Sequence, residues 1–390
     1  MAGIQTKQKD TITSDIILAW EAINNGVVDK NHNKRKKYWN FWEQYVQIYK
    51  KNSFLTDCTN AEQIIIITAF AARVRTGHYG RGNQVKVQSV KDALAAISKT
   101  IELAGERSPV YKADKNYKTP VARLIEGFKQ DDPPPVPQIA IPVQVINQCL
   151  KAGYTNTCPI KRAIADLSVI AFFYLLRVGE YTKPTLSKKH KNKRATRTVQ
   201  FKIQDIGFFK NNKILERNTP IQQLTTADSC TLKITNQKNG RMGQTIHQHS
   251  THKDICPIEA LARQVNHIIT NNGSHENLLC DVWLKDENKW YQITPPDMIK
   301  HLREAVTSLK LDNKGITPDL VGVHSLRAGG AMALKLNGAS DTTIMKMGRW
   351  TSMTFLEYIH NQIAHLSKNL SHKMSTQLDY QNIAAIERAA

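Results

Sequence analysis

Helical hydrophobic spacing dominates the first third of the chain. Residues 34–51 carry apolar side chains three and four positions apart, as on one helix face, namely Tyr38, Phe41, Trp42, Tyr45 and Ile48. Residues 59–75 and 87–103 predict two further helices, and a segment beginning at Ser14 predicts another. The glycine-containing residues 78–83 predict a turn between two of them. This pattern indicates a small helical bundle.

Proline interrupts the helical pattern at residues 131–142, where five of the twelve positions are proline. Proline has no N–H group and fixes φ, so this stretch cannot be the interior of a helix and is predicted to run extended. We interpret it as a linker between an N-terminal helical domain, residues 1–130, and a second domain, residues 143–390.

The second domain mixes helical and strand periodicity. Residues 163–176 predict an apolar helix, and residues 200–209 alternate like a strand. Residues 230–249 predict a β-hairpin with Lys238-Asn239-Gly240 as its turn. Helical spacing returns in the remainder, at residues 257–269, 294–308, 325–336, 342–348, 353–367 and 376–390. The predicted fold class is mainly α with a small β-sheet, an α+β arrangement.

Composition narrows the classes of partner. The 390 residues include 54 Lys or Arg and 33 Asp or Glu, a formal net charge of +21 that attracts a polyanion such as nucleic acid or an acidic membrane surface. The apolar runs are well short of the ~20 residues that a bilayer span needs, and the first ten residues contain no apolar signal core. Six scattered cysteines without a CxxC pair make a disulfide framework or a zinc site unexpected and favour a reducing compartment.

Two basic runs are candidate contacts to a DNA backbone. Lys34, Arg35, Lys36 and Lys37 precede an aromatic-rich segment, where a solvated helix start is the alternative interpretation. Residues 183–202 contain eight basic residues and no acidic one, which fits a solvated loop, a DNA contact or a nuclear targeting signal. The backbone-contact candidates in this second run are Lys188, Lys189, Lys191, Lys193 and Arg194.

Side chains suited to phosphodiester chemistry occur in the second domain. Metal-free cleavage needs cations on the non-bridging oxygens, a nucleophile, a proton acceptor and a proton donor. Arg177 ends the apolar helix and Glu180 follows one turn later, so the two could form a structural ion pair or part of a site. His324 and Arg327 are spaced to share one helix face, either as a surface pair or as a site.

An indole and a phenol complete this set. Trp350 follows Arg327 along the chain, and Tyr358 follows Trp350 on a predicted amphipathic helix. A tyrosine at the edge of an apolar face is often an ordinary core residue. The alternative is a nucleophile, since phenol can form a covalent phosphate ester that conserves bond energy for religation.

In their order along the chain, these motifs resemble the tyrosine recombinase family, also called the phage integrase family. The matching segments are Leu176-Arg177-Val178-Gly179-Glu180, the hairpin residue Lys238, His324-Ser325-Leu326-Arg327, Gly348-Arg349-Trp350 and Tyr358-Ile359-His360. Cys256-Pro257-Ile258-Glu259-Ala260-Leu261 resembles the turn that follows the hairpin in that family. The resemblance implies a DNA-binding, core-binding domain in residues 1–130. It also implies a catalytic domain with a C-terminal helical tail in residues 143–390.

The resemblance implies a catalytic role for four of these residues. Tyr358 would attack the scissile phosphate and form a 3′-phosphotyrosyl link. Arg177 and Arg327 would hold the non-bridging oxygens in the transition state. His324 would contact the same phosphate and help to manage the tyrosine proton.

Supporting roles follow from the same resemblance. Lys238 would protonate the leaving 5′ oxygen, and Lys233 and Arg241 remain alternatives because hairpin register cannot be fixed from sequence. Trp350 would donate its indole N–H to the phosphate. Glu180 would orient Arg177 or His324 rather than react. Neither a metal nor any other cofactor is expected.

The resemblance also implies double-stranded DNA as partner and a homo-tetramer in the DNA synapse, with no membrane partner. The sequences RVGEYT and HSLRAGGA resemble eukaryotic mobile-element recombinases of the Crypton or DIRS type, which predicts a nuclear location. A bacterial or phage source would instead predict the cytoplasm. Two other functions stay open, a type IB topoisomerase-like enzyme that relaxes DNA and a domesticated DNA-binding protein without catalytic activity.

Overall fold

The computed structural model describes residues 14–19, 22–23, 29–80, 82–134, 139–183, 199–216, 219–235, 243–352 and 356. The chain divides into two compact units between residues 134 and 139. Helices make up most of the first unit and more of the second than its short antiparallel strands do, so the predicted α+β class is confirmed. None of the described helices combines the length and the apolar composition that crossing a membrane requires.

The longer described helices of the first unit are α1 (Asp29–Ile48), α2 (Asn60–Arg75), α3 (Val87–Leu103) and α4 (Thr119–Gln130), and residues 14–19 and 22–23 are helical as well. The bounds predicted for α2 and α3 are confirmed to within one residue. The start of α2 is fixed by Thr59, whose hydroxyl accepts from the Glu62 amide while the Glu62 carboxylate accepts from the Thr59 amide. Helix α4 was not predicted from the sequence.

Aromatic and branched side chains fill the core of the first unit. Trp42, Phe70, Leu94 and Ile97 are fully buried. The Trp42 indole N–H donates to the carbonyl of Ser53 at 2.7 Å, so the one polar atom of this ring is satisfied inside the core. The helical spacing that predicted these elements therefore marks the residues that pack against one another.

A buried arginine joins the end of α4 to the rest of this unit. Arg75 donates to the carbonyls of Val85 at 2.6 Å and Phe128 at 3.2 Å, and its guanidinium pairs with Asp132. The second Asp132 oxygen accepts from the Val87 amide at 2.9 Å. The hydrogen bond from Arg75 lowers the pKa of the Asp132 carboxyl.

The second unit contains eight helices and six strands within its described residues. In chain order they are α5 (Val143–Tyr154), α6 (Pro159–Phe173), α7 (Val178–Tyr181), β1 (Ile206–Lys210), β2 (Lys213–Ile214), α8 (Ile221–Leu224), β3 (Ser229–Ile234), β4 (Gln244–His249), α9 (Pro257–Thr270), β5 (Asp281–Leu284), β6 (Lys289–Gln292), α10 (Pro295–Leu309), α11 (Ser325–Leu336) and α12 (Asp341–Gly348). Short 3₁₀ turns occur at Ile203–Asp205, Leu311–Lys314 and Pro318–Leu320.

The larger sheet has the antiparallel order β2-β1-β3-β4. The hairpin predicted at residues 230–249 is confirmed as β3 and β4, with Leu232 opposite Ile246. Its predicted turn at Lys238 lies outside the described residues. The strand predicted at residues 200–209 begins only at Ile206, because Ile203–Asp205 forms a 3₁₀ turn. The β5–β6 hairpin was not predicted.

Helix α6 is the centre of the second unit. All of its residues from Ala163 to Phe172 are buried, and they pack against α5, α9, α10 and α11. Asp166 is a charged member of this series, and it accepts from the Arg263 guanidinium at 2.7 and 3.0 Å and from the Tyr154 hydroxyl. Buried carboxylates of this kind need such partners to stay ionised. All six cysteines of the chain are free thiols.

A tight left-handed turn ends α6 and leads into the predicted site. Leu175 has φ of 49°, and the Leu176 amide donates back to the Ala171 carbonyl at 3.0 Å. This hydrogen bond is the six-to-one contact of a Schellman motif, in which the left-handed position is usually glycine. The turn directs the Leu175 carbonyl away from the helix ladder, where other donors can reach it.

Two glycines allow α11 to lie directly against α6. A Cβ atom built on Gly330 would stand 2.2 Å from the Phe172 carbonyl oxygen, and one built on Gly329 would stand 2.2 Å from the Ile141 carbonyl oxygen. Real Cβ atoms do not approach other atoms below 3.0 Å. The close approach therefore depends on glycine at both positions, and it brings the first turn of α11 beside the end of α6.

Candidate active site

Arg177 and Glu180 form one rigid unit at the start of α7. Arg177 caps this four-residue helix, and the Glu180 carboxylate accepts from the Arg177 amide at 2.8 Å. The other Glu180 oxygen accepts from Arg177 Nη1 at 3.1 Å. The Glu180 side chain is 3% exposed and the Arg177 side chain is 19% exposed, so the carboxylate is buried and the guanidinium reaches the surface.

Arg327, from a distant part of the sequence, bonds to the backbone just before this pair. It lies in the first turn of α11 and is buried, and its guanidinium donates to the carbonyls of Leu175 and Gly348. Leu175 is 152 residues earlier in the chain and two residues before Arg177. His324 is the N-cap residue of the same helix and is half-buried. The structure thus brings together the two arginines that the sequence predicts for one site.

A second left-handed turn follows α12 and positions an indole ring. Arg349, the C-cap residue, has φ of 59°. A Cβ atom on Gly348 would stand 1.7 Å from Trp350 Cζ3, so only glycine leaves space for the ring. The ring lies 4.1 Å from the guanidinium carbon of Arg327, a cation–π contact. Trp350 therefore packs against the predicted phosphate-binding arginine.

The same turn buries the side chain of Arg349. Its Nη2 atom donates to Glu180 Oε2 at 2.9 Å and to the Leu175 carbonyl at 3.1 Å. The Arg349 and Glu180 side chains are each 3% exposed. Burial lowers the pKa of Arg349, and the charge of Glu180 partly offsets this, so the guanidinium remains charged at neutral pH.

Positive charge exceeds negative charge in this cluster. Arg177 and Arg349 share the carboxylate of Glu180, and within the described part of the chain no other carboxylate forms an ion pair with either. Arg327 adds a third guanidinium beside them, through the shared Leu175 carbonyl. An anion is stabilised beside a partly exposed guanidinium that has surplus buried positive charge next to it. The planar guanidinium group can donate two parallel hydrogen bonds, which suits the oxygens of a phosphate.

Comparison with solved structures gives matches along most of the chain. XerH site-specific recombinase bound to palindromic difH substrate has 14% identity and a TM-score of 0.47, covering 80% of this chain and 72% of that one. Tn1549 transposon integrase, residues 82–397 with circular intermediate DNA, has 11% identity and a TM-score of 0.43, covering 85% and 92%. XerA recombinase has 13% identity and a TM-score of 0.35, covering 88% and 93%.

A transposon integrase and two recombinases are thus what the chain is similar to. No protein-family model matches the chain. No curated protein matches it either.

Several predicted site residues lie outside the described residues. They include the predicted nucleophile Tyr358, the hairpin residues Lys238 and Arg241, and the basic residues Lys188, Lys189, Lys191, Lys193 and Arg194. Their roles stay predictions. Lys233, the remaining candidate for the hairpin position, is exposed on β3 opposite Thr245. It lies near Asp205, whose pKa is raised by burial and pulled back by Lys202 and Lys233.

The basic run at residues 34–37 lies inside a helix, whereas the sequence predicted that it precedes one. Helix α1 begins at Asp29, so Lys34, Arg35, Lys36 and Lys37 lie within the helix and not before it. Lys34 forms an ion pair with Asp92 on α3, and Lys37 Nζ lies 5.4 Å from the Phe41 ring centre. The sequence prediction placed the start too late because the polar residues of the first turn carry no hydrophobic periodicity. The four side chains point in different directions around the helix rather than forming one basic end.

Arg349 was not among the site residues predicted from the sequence. Arg349 lies between Gly348 and Trp350 in the sequence motif, but a single arginine beside a tryptophan is usually exposed to solvent. What buries it is the left-handed turn, together with the acidic partner at Glu180. The only sequence signal was the glycine immediately before it.

Proposed function

We propose that this chain is a site-specific DNA recombinase or integrase that cleaves and rejoins DNA strands through a 3′-phosphotyrosyl intermediate. The observation that supports this function is that Arg327 donates to the Leu175 carbonyl, two residues before Arg177, beside the Glu180 carboxylate that Arg177 and Arg349 share. Arg177 and Arg327 were selected from motif order alone, and they occupy one charged cluster in the fold. A purely structural ion pair would account for the contact of Arg177 with Glu180, but it would not account for two further guanidiniums, those of Arg327 and Arg349, next to it.

The proposed reaction proceeds by two exchanges of a phosphate ester. The Tyr358 phenol oxygen attacks phosphorus, its proton passes to a base for which His324 is the candidate, and the 5′ oxygen leaves with a proton from the hairpin lysine. Arg177 and Arg327 stabilise the charge on the non-bridging oxygens. The reverse attack by a 5′ hydroxyl on the phosphotyrosine rejoins the strand and releases the tyrosine, so no external energy source is needed.

The basic surface fits the same proposal. A net charge of +21 favours binding along a duplex, and the two units are proposed to contact DNA as a binding domain and a catalytic domain. Four copies on two duplexes would form the synapse in which strands are exchanged. A role in the integration or transposition of a mobile element, and a nuclear location in a eukaryotic source, belong to the proposal as well.

Covalent capture on DNA tests the proposal directly. The full-length chain is incubated with a library of nicked suicide duplexes, in which the released 5′ fragment diffuses away, and protein-linked DNA is isolated under denaturing conditions. We expect an adduct with the wild type and none with Tyr358→Phe. Tyr49→Phe, which changes an exposed tyrosine of the first unit, is the matched control and should retain the adduct.

The outcomes separate the alternative functions. Joint products between two duplexes support the recombinase. An adduct together with plasmid relaxation and no joint products would favour the type IB topoisomerase-like enzyme. Duplex binding without any adduct would favour a non-catalytic DNA-binding protein and refute the proposal. An adduct that persists in Tyr358→Phe would refute the assignment of the nucleophile.

A further inference from the structure

Glu180 makes three hydrogen bonds that fix the position of its carboxylate. Oε1 accepts from Arg177 Nη1 at 3.1 Å. Oε2 accepts from the Arg177 amide at 2.8 Å and from Arg349 Nη2 at 2.9 Å. The carboxylate therefore lies between two guanidiniums, one buried and one partly exposed.

The division of the two oxygens matters for Arg177. A carboxylate with both oxygens available pairs with an arginine through two parallel hydrogen bonds, which occupies the whole fork. Here Oε2 already accepts from the Arg177 amide and from Arg349, and the Arg177 guanidinium makes one bond to the carboxylate, through Nη1. Within the described residues, Arg177 Nε and Nη2 have no hydrogen-bond partner. The side chain that carries these two donors is 19% exposed.

We propose that Arg349 is a positioning residue that holds Glu180 so that Arg177 presents an open fork to the scissile phosphate. The inference rests on the proposed function, because it assigns a role within the same site. Arg349 does not touch the phosphate in this scheme; it acts through the Glu180 carboxylate and the Leu175 carbonyl, which it also contacts at 3.1 Å. Without it, Glu180 recruits the full fork of Arg177.

Buried charge explains why a cation rather than a neutral donor occupies this position. Glu180 is 2% exposed, and a buried carboxylate needs compensation. If Arg177 alone supplied it, the same guanidinium would have to neutralise both Glu180 and a DNA phosphate. Arg349 takes over the first task, since its Nη2 atom is bound to Glu180 Oε2 and to the Leu175 carbonyl.

The test compares cleavage with binding and folding in the full-length chain. Single-turnover cleavage of the captured suicide duplex is measured at saturating protein, alongside duplex Kd and thermal unfolding. For Arg349→Met we expect a ~100-fold loss of cleavage rate, the size of effect that small misplacement of a catalytic group produces, with Kd changed less than about twofold. Arg349→Lys keeps the charge and should recover part of the rate. Arg303→Met is the matched control, because Arg303 also donates to a backbone carbonyl, at Val321, without contacting Glu180.

A double variant separates positioning from a merely structural role. Arg349→Met with Glu180→Gln removes both members of the buried ion pair, so that neither is left without its partner, and should restore thermal stability, yet cleavage should stay low because Arg177 has lost its orienting carboxylate. Recovery of the wild-type rate in this double variant would refute the inference. So would a wild-type rate in folded Arg349→Met.

Failure of the inference and failure of the proposed function give different results. If the wild type forms an adduct and the Arg349 variants cleave normally, only the positioning role is refuted. If the wild type forms no adduct on any duplex, the proposed function is refuted and the positioning role with it.

Discussion

Substitution of Gly330 by alanine tests how the second unit brings Arg327 to its place. Alanine normally stabilises a helix interior relative to glycine by up to about 1 kcal/mol. At Gly330 the new methyl group would stand 2.2 Å from the Phe172 carbonyl oxygen and 2.5 Å from Leu175 Cδ2, where ordinary contact begins at 3.4 Å. One of these neighbours is a backbone atom of a central helix, so it cannot rotate away.

The steric cost should exceed the gain in helix propensity. Overpacking of a close-packed core costs about 1–3 kcal/mol and the gain in helix propensity offsets at most about 1 kcal/mol of it, so Gly330→Ala should destabilise the second unit by up to about 2 kcal/mol net. Helix α11 would have to move away from α6, and Arg327 would move with it from the Leu175 carbonyl. Cleavage in the proposed reaction should therefore fall more than the fraction of folded protein does.

Hydrogen exchange resolved by peptide measures the opening free energy of each unit in the full chain. The matched control is Gly127→Ala in α4, where a Cβ atom meets nothing within 4 Å and the substitution should be neutral or stabilising. If Gly330→Ala were as stable as the wild type, α11 and α6 would be able to move apart at no cost, which the short distances at Gly330 do not allow. That result would refute the reasoning from close approach.

Three further predictions concern charge. The hydrogen bond from Arg75 lowers the pKa of Asp132, so the stability that Asp132 contributes is present above its unfolded pKa near 3.8 and is lost as the pH falls through the folded value. In Asp132→Asn the free energy of unfolding should therefore depend less on pH in acid than in the wild type, whereas Asp131→Asn should behave like the wild type. Arg263→Met leaves Asp166 buried without a cationic partner and should lower the free energy of unfolding in urea by about 3–5 kcal/mol, a loss that adding Asp166→Asn should largely recover. Duplex affinity should fall ~10³-fold or more between 50 and 200 mM salt if six or more phosphates are contacted, as measured by fluorescence anisotropy.

Each of these has a contradicting result. An unchanged pH dependence in acid for Asp132→Asn would mean that the pair with Arg75 does not couple to folding. Equal stability of Arg263→Met and the wild type would mean that solvent or another group compensates Asp166. Duplex affinity that hardly changes with salt would contradict phosphate contact as the main source of binding.

Local signals predicted most of the helices of the first unit. Helix α2 has a reciprocal cap at Thr59, and α3 has regular apolar spacing along its whole length, so both could be bounded from sequence. Helix α4 is shorter, and the proline at Pro120 suggests a break although it occupies the first turn, where proline is tolerated. Its assignment depends on packing against α2 and α3, which sequence spacing does not show.

Short strands were harder to predict than helices. The β5 and β6 strands have four residues each, too few for alternation to stand out from a polar loop. Their pairing is supported by contact of Trp283 with Trp290 across the hairpin, with ring centres 5.3 Å apart. Such cross-strand contacts belong to tertiary structure, so they appear only when the strands are already placed.

Motif order predicted the arginines of the candidate site but not the contacts that hold them. Arg177, Glu180 and Arg327 were identified from their spacing, and the fold brings them together. Arg349 was missed because its burial follows from a backbone angle. Neither the left-handed turn at Arg349 nor the one at Leu175 has a glycine or asparagine to signal it.

The Leu175 carbonyl has a consequence for how such a site changes during evolution. Two guanidiniums, those of Arg327 and Arg349, are anchored on a main-chain oxygen, which every residue type provides. The anchor itself therefore does not depend on the side chain at position 175. What restricts the amino acid there is the left-handed turn and the buried packing of the Leu175 side chain beside Gly330, so evolution can change this residue only within those two limits.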